Sequence, residues 1–293
     1  MEVHLVDGTY ELFRHYYAVP GSKGKDGQEI GAVRGVLNSL VSMLDKGATH
    51  VGFATDKVIE SFRNDLYRFY KTGEGIDPDL FSQFPIVEDA AESMGVHIWP
   101  MVEFEADDAL AAAAAKCAEL SEIERIYICT PDKDLAQCVS GERVVQLDRR
   151  REIIRDEKGV IEKFGVSPDS IPDYLALVGD TADGYPGLAG WGAKATAAVL
   201  SHYKKLENIP AACEDWPKSI RGAAKLSATL KEFWNDALLY RTLATLRLDV
   251  PVFDSIDQLL WRGPKDSFKE TCERLKAPEL FKKTTALAEK RKA

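Results

Sequence analysis

No two cysteines in the 293 residues form a C-x-x-C pair; the five (Cys117, Cys129, Cys138, Cys213, Cys272) are scattered and odd in number. That excludes a disulfide framework and a zinc site, and fits reduced, buried thiols. No apolar run approaches the length of a membrane span, and the opening MEVHLVDGTY has neither the basic start nor the apolar core of a signal peptide. A cytoplasmic address without a membrane partner is therefore expected. Low-complexity tracts are also missing, and 45% of the residues are hydrophobic, so the chain is long and apolar enough for a sizeable core. Basic residues are in deficit: 38 Lys and Arg against 47 Asp and Glu leave a net charge of −9. The sum alone disfavours a nucleic-acid binder, whose footprint is usually basic. It no longer does so if many of the acids share one metal site, because bound cations then offset them locally.

What is present is an alternation of short apolar strands and longer helical patterns. VHLV (3–6), THVGFAT (49–55), VHIW (96–99), RIYICT (125–130) and RVVQL (143–147) read as strands. Between them, residues 30–47 and 105–120 read as helices, and 79–95 as a helix broken near Pro85. This βαβα order predicts a parallel sheet with helices on both faces. After about residue 166 the strands stop and the pattern is helical, with no linker in between. The expectation is an α/β core with a helical C-terminal part.

Asp7 follows VHLV, Asp56 follows VGFAT, and Asp132 follows IYICT by one proline. In an open parallel sheet, sites form beyond the carboxyl ends of the strands, and neighbouring strands lie only about 4.8 Å apart. Each aspartate alone is equally compatible with a helix cap or a turn. Denser clusters accompany them. Glu105, Asp107 and Asp108 open a helix, where acids also complement the helix dipole. Asp132 and Asp134 flank Lys133, and Asp180 and Asp183 repeat the i, i+3 spacing of Glu105 and Asp108. Nine carboxylates at one sheet edge cannot all stay ionised without cations. Oxygen ligands with no His or Cys nearby select hard ions such as Mg²⁺ or Mn²⁺, and two groups of acids suggest two ions. Paired ions stabilise the attacking and leaving oxygens of a phosphoryl displacement, so the chemistry points to phosphodiester hydrolysis.

LVGDTADGYPGLAGWGAKATAAVL (177–200) sets Asp180 and Asp183 directly before a run of glycines. Gly187, Gly190 and Gly192 let backbone amides approach an anion, the helix opening near Ala193 adds its positive end, and Lys194 a charge. Such a unit could hold a DNA backbone. SFRNDLYRFYKTGEG (61–75) interleaves Arg63, Arg68 and Lys71 with Phe62, Tyr67, Phe69 and Tyr70. That pattern suits single-stranded nucleic acid, and equally an amphipathic helix with a buried aromatic face.

VDGTYELFR, ATDKVIESFRNDLYRFYKTG, FEADDALA, TPDKDLAQ, ALVGDTADGYPGLAGWGAKATA and LATLRLDVPV together resemble bacterial 5′-nucleases, over about residues 3–253. These are the stand-alone flap endonucleases and the 5′→3′ exonuclease domains of DNA polymerase I. The resemblance implies a PIN-like core (1–165) carrying a helical arch or clamp (about 61–85). It also implies a helical part (166–293) with a helix–three-turn–helix motif (about 172–202) that binds duplex DNA and often K⁺. By position, Asp7, Asp56, Glu105, Asp107 and Asp108 match the ligands of one metal ion. Asp132, Asp134 and Asp183 match those of a second, supported by Asp180. Lys71 matches the lysine that contacts the scissile phosphate, and Arg63 an arginine beside the arch. The implied substrate is DNA with 5′ flaps or 5′ ends at single/double-strand junctions, with a polymerase and a ligase acting in trans. The chain ends without a polymerase domain, so a free-standing enzyme is expected.

Three positions depart from the family pattern. Thr72-Gly73-Glu74 stands where an arginine commonly follows the arch lysine, and Gly184 and Trp191 replace an Asn and an Ile of SDN-x-PG-x-x-GIG. Other classes fit less well. A phosphatase of the haloacid dehalogenase type needs an aspartate where this chain has Leu5. A PIN-type ribonuclease lacks the glycine-rich hairpin, and a binding protein that had lost catalysis is not expected to keep all nine acids.

Overall fold

The computed structural model describes residues 1–292, and they form two compact units that are discontinuous in sequence. The first comprises residues 1–59, 73–130 and 248 onward; the second comprises 60–72 and 131–247. Among the described residues no helix is long and apolar enough to cross a membrane.

In the first unit, β1 (Glu2–Asp7), β2 (His50–Asp56), β3 (His97–Met101) and β4 (Arg125–Cys129) are parallel, in the order β3-β2-β1-β4. Every residue of β2 is buried, as expected of a parallel strand covered on both faces. The helix Ala106–Ala118 lies on this sheet through Ala109–Ala114, all buried, because a run of alanines brings helix backbone and sheet close together. Leu5, Leu37, Leu40, Phe53 and Leu110 are almost completely inaccessible, each contributing about 1.5–3 kcal/mol of apolar burial. The C-terminal segment completes this core. Leu259 O accepts from Val51 N at 2.8 Å, and Trp261 Nε1 donates to Met94 O at 2.8 Å.

The helix expected over 79–95 is divided at Ser82, into Pro78–Phe81 and Gln83–Ser93. The break falls near Pro85, as expected: a continuous helix would need a Pro85 amide to bond Phe81 O, whereas a helix restarting at Gln83 places Pro85 in its first turn, where no such bond is required.

In the second unit, β5 (Val144–Asp148) and β6 (Ile153–Arg155) form an antiparallel hairpin with Gln146 opposite Arg155; β6 has no counterpart among the strands expected from the sequence. No named strand follows Arg155 among the described residues. The helices Ile171–Val178, Ala193–Tyr203 and Trp234–Ala244 enclose an apolar core that contains Leu175, Tyr185, Trp191, Leu200 and Tyr240. Tyr70 joins that core from the 60–72 segment, the start of the expected arch. The helix there is short, Phe62–Leu66, and it opens with a reciprocal Ser61–Asn64 capping box.

Candidate metal centre

Strand register delivers the first group of acids. Asp7 pairs with Ala54 at the carboxyl end of β1, and Asp56 with Met101 at the end of β2. Asp7 is also the N-cap of the following helix: its Oδ1 accepts from Tyr10 N at 2.8 Å, and its Oδ2 from Thr130 Oγ1 at 2.9 Å. Asp56 Oδ1 accepts from Ala106 N at 2.7 Å, which brings Glu105 and the next helix to the same sheet edge. Glu105 and Asp108 cap that helix reciprocally, with Glu105 N donating to Asp108 Oδ2 at 3.0 Å. Asp7, Glu105 and Asp108 thus serve as helix caps at the carboxyl edge of the sheet. Asp7, Asp56, Glu105 and Asp108 are buried and Asp107 is half-buried.

The second group is more compact. Asp134, Asp180 and Asp183 each offer a carboxylate oxygen within 4.8 Å of the others. Asp134 N donates to Asp132 Oδ1 at 2.9 Å, tying the exposed Asp132 to the same loop. Asp180 is fixed by paired backbone bonds with Tyr185, at 2.8 and 3.0 Å, and by Ala182 N on its Oδ1 at 2.9 Å. Two lysines offset part of the charge: Lys133 Nζ lies 2.7 Å from Asp180 Oδ2, and Lys71 Nζ lies 3.3 Å from Asp183 Oδ1. The backbone reinforces the second contact, because Lys71 N donates to Asp183 O at 2.9 Å.

Asp134 is the most perturbed member of the group. Burial, then the charges of Asp132, Asp183 and Asp180, push its carboxyl well above the usual range, against the pull of Lys133. Its Oδ1 is buried and accepts no hydrogen bond. A buried orphan oxygen among carboxylates, with oxygen as the only donor type, fits a hard divalent cation. Burial lowers the pKa of Lys133, but the hydrogen bond and charge of Asp180 outweigh it and hold the ammonium above its usual value. Tyr185 is fully buried and stacks on Tyr240 with ring centroids 5.6 Å apart. Burial, then the charges of Asp134, Asp183 and Asp180, raise the pKa of its hydroxyl. Sequence reasoning treats Lys133 as a spacer and passes over Tyr185. A D-K-D pattern does not reveal which way its lysine turns.

This architecture has known relatives. Residues 2–165 match the 5′-3′ exonuclease N-terminal resolvase-like domain, and residues 166–267 the 5′-3′ exonuclease C-terminal SAM fold. The chain belongs to the 5′-3′ exonuclease family. Membership makes it a 5′-nuclease, a phosphodiester hydrolase. It is 30% identical to the 5′-3′ exonuclease of Aquifex aeolicus over 264 residues, covering 88% of this chain and 90% of that one. Identity to DNA polymerase I of Pseudomonas aeruginosa is 36% over 260 residues; that match covers 87% of this chain and spans 28% of the polymerase. The solved structure of T5 5′-exonuclease with bound zinc shares the fold at a TM-score of 0.64 and 16% identity, covering 99% of each chain. The catalytic core of Rad2 in complex with DNA substrate does so at 0.63 and 14%, covering 97% of this chain and 91% of that one.

Two departures from the 5′-3′ exonuclease pattern have structural reasons. A Cβ at Gly184, whose φ is +87°, would stand 2.2 Å from Phe69 O, so the bare backbone is what lets the 69–71 segment close on the Asp183 loop. Trp191 is buried and donates through Nε1 to Leu226 O at 3.2 Å, filling the helical core. Of the expected anion-binding glycines, Gly187 is needed at a backbone crossing, where a Cβ would lie 2.4 Å from Gly179 N. Gly190 and Gly192 face open space, beside the exposed Lys194 in the first turn of Ala193–Tyr203. Arg68 is exposed too, its guanidinium 4.3 Å from the Phe69 ring centroid.

Arg63 requires a correction. Expected beside the arch as a catalytic and DNA-binding residue, it is only 1% exposed, donating from Nε to Leu243 O at 2.8 Å and from Nη2 to Thr245 O at 3.1 Å. These two acceptors lie at the end of the helix Trp234–Ala244, where a cation complements the helix dipole. Arg63→Ala is therefore expected to destabilise the fold by about 3 kcal/mol, by leaving buried carbonyls unpaired. Chemical denaturation measures this, and a variant of unchanged stability with weakened DNA binding would restore the expected role.

Proposed function

We propose that this 5′-nuclease cleaves DNA at 5′ flaps and at 5′ ends of single/double-strand junctions, in replication and repair, using two divalent ions, Mg²⁺ or Mn²⁺. The observation that carries the reading is the Asp134–Asp180–Asp183 cluster, with its orphan Asp134 oxygen and Lys71 lying against Asp183. Asp132, Asp134 and Asp183 would hold one ion with support from Asp180, and Asp7, Asp56, Glu105, Asp107 and Asp108 the other. When bound, such ions polarise the scissile phosphate and neutralise charge on the attacking and leaving oxygens.

The chain's own residues supply the rest. Lys71, tethered through its backbone to Asp183, can transfer its ammonium from that carboxylate to the scissile phosphate without moving the segment that carries it. Arg68 and Phe69 present a cation and an aromatic face to an unpaired 5′ strand. Gly190, Gly192 and Lys194, at the start of an 11-residue helix, would receive the phosphates of the duplex arm. The turn before that helix would also take K⁺. In domain terms the proposal assigns the nuclease core with its arch to 1–165, and the DNA-binding helical part to 166–293. A polymerase and a ligase would act in trans, in the cytoplasm. The relatives support the substrate class, since Rad2 was solved with DNA and T5 5′-exonuclease with divalent zinc.

The test is denaturing-gel cleavage of a 5′-labelled flap substrate and a matched RNA strand, with Mg²⁺, Mn²⁺ or EDTA. Metal-dependent release of the flap near the junction is expected. Preferential cutting of the RNA strand would move the protein to a ribonuclease, and binding without cleavage under any metal would sink the enzymatic reading.

A further inference from the structure

The turn between β5 and β6 reads Arg149-Arg150-Arg151; Arg155 ends β6, and Lys158 and Lys163 follow within one short helix. Acids are interspersed, but several are committed to backbone amides. Asp148 Oδ1 accepts from the amides of Arg150 and Arg151, both at 3.1 Å, which shapes the turn. Asp156 caps the helix Glu157–Phe164 by accepting from Gly159 N at 2.9 Å, and Glu157 accepts from Gly141 N at 3.0 Å. Asp148 also lies 3.8 Å from the Arg151 guanidinium, yet Arg151 remains 72% exposed. Lys163 is exposed, with Nζ 4.7 Å from the Phe164 ring centroid. Partial desolvation, then the charge of Arg155, hold its pKa below the usual value against the opposing pull of Asp132 and Asp148. In a protein of net charge −9, residues 148–163 carry six basic side chains against five acidic ones, a local relief of the negative charge.

This cluster is wired to the carboxylate loop. Arg155 Nη1 donates to Gln146 Oε1 at 3.4 Å, and Gln146, itself fully buried, donates from Nε2 to Asp132 O at 2.5 Å. Asp132 in turn accepts from Asp134 N. A short hydrogen-bonded path thus joins Arg155 to the residues of the candidate metal centre.

We infer that Arg151, Arg155 and Lys163 form a binding site for backbone phosphates of the DNA substrate, next to the Asp132–Asp134 loop; the inference rests on the nuclease reading. Their spread across a hairpin turn and a helix suits successive phosphates of one strand. Gln146 gives the site a second effect, since phosphate on Arg155 steadies the Gln146 amide that donates to the Asp132 carbonyl.

The test compares junction-DNA binding by the full chain, in EDTA, between wild type and the triple variant Arg151→Gln/Arg155→Gln/Lys163→Gln over a salt series. Affinity is expected to fall at least about tenfold near 0.15 M salt, and the slope of log K against log salt to flatten by about 2–3. A charge-matched control, Lys269→Gln/Lys283→Gln/Lys290→Gln, is expected to keep the wild-type slope. Arg151→Lys/Arg155→Lys, which retains the charge, is also expected to keep it. Circular dichroism checks that each variant is folded. A folded triple variant with wild-type affinity and slope overturns the inference, and so does a control that loses as much. Failure of the nuclease reading would look different, because the wild type itself would then cut no flap substrate in Mg²⁺ or Mn²⁺.

Discussion

Asp134→Asn is expected to lower flap cleavage by about 10³-fold or more while raising the melting temperature of the metal-free protein. The two effects share one cause. Asp134 is buried, its Oδ1 has no hydrogen-bond partner, and burial together with three neighbouring aspartates pushes its carboxyl up. Without a cation the charge is a liability, and a neutral amide of the same shape relieves the repulsion, by roughly 1 kcal/mol or a few degrees. With a cation the sign reverses: wild type gains stability as divalent metal is added, and the variant gains much less. Melting curves in EDTA and in Mg²⁺, run beside the cleavage assay, separate the two contributions. Cleavage within tenfold of wild type, or a lower melting temperature in EDTA, would remove Asp134 from the metal centre.

Gly184→Asn, which installs the residue common in the family, is the second large expected effect. Here the family residue is predicted to be harmful. Its Cβ would collide with Phe69 O at 2.2 Å, at a φ of +87° that side chains rarely adopt. Relief requires the 69–71 segment to withdraw from the Asp183 loop, breaking the Lys71 N to Asp183 O bond and displacing the Lys71 ammonium. A displacement of about 1 Å at such a group costs about 10²-fold in rate, and the strain costs roughly 1–3 kcal/mol of stability. Single-turnover cleavage reads the first and chemical denaturation the second. Gly184→Ala separates backbone from side chain, since it carries the same clash with no amide. If Gly184→Asn cleaves like wild type, the closure of Phe69 on this loop does not govern the position of Lys71.

The parallel strands and the aspartates at their ends are legible in the sequence because burial on both faces writes itself as short apolar runs, and Asp7 and Asp56 directly follow two of them. The helix Ala193–Tyr203 and its glycine-rich approach are legible for a similar local reason. What escapes is set by distant partners. Arg63 reads like any cation in an aromatic-basic stretch, and the carbonyls that capture it belong to Leu243 and Thr245, some 180 residues on. Strand β6 is three residues long and flanked by charges, too short to show alternation. The need for Gly184 depends on the Phe69 carbonyl, from a segment more than 100 residues earlier. Pro85, by contrast, is legible, since a proline cannot bond the carbonyl four residues back and the helix divides at Ser82, within that turn.

The discontinuous make-up of the first unit sets an order of events on the ribosome. Strands β1 to β4 are complete once residue 129 has been synthesised, yet Thr49, Val51 and Met94 wait for Leu259 and Trp261 to pair with them. The whole of 131–247 emerges in between and has its own apolar core to close. The later-made unit can therefore finish folding before the earlier one, and a nascent chain stalled short of residue 261 would carry an open sheet for chaperones to shelter.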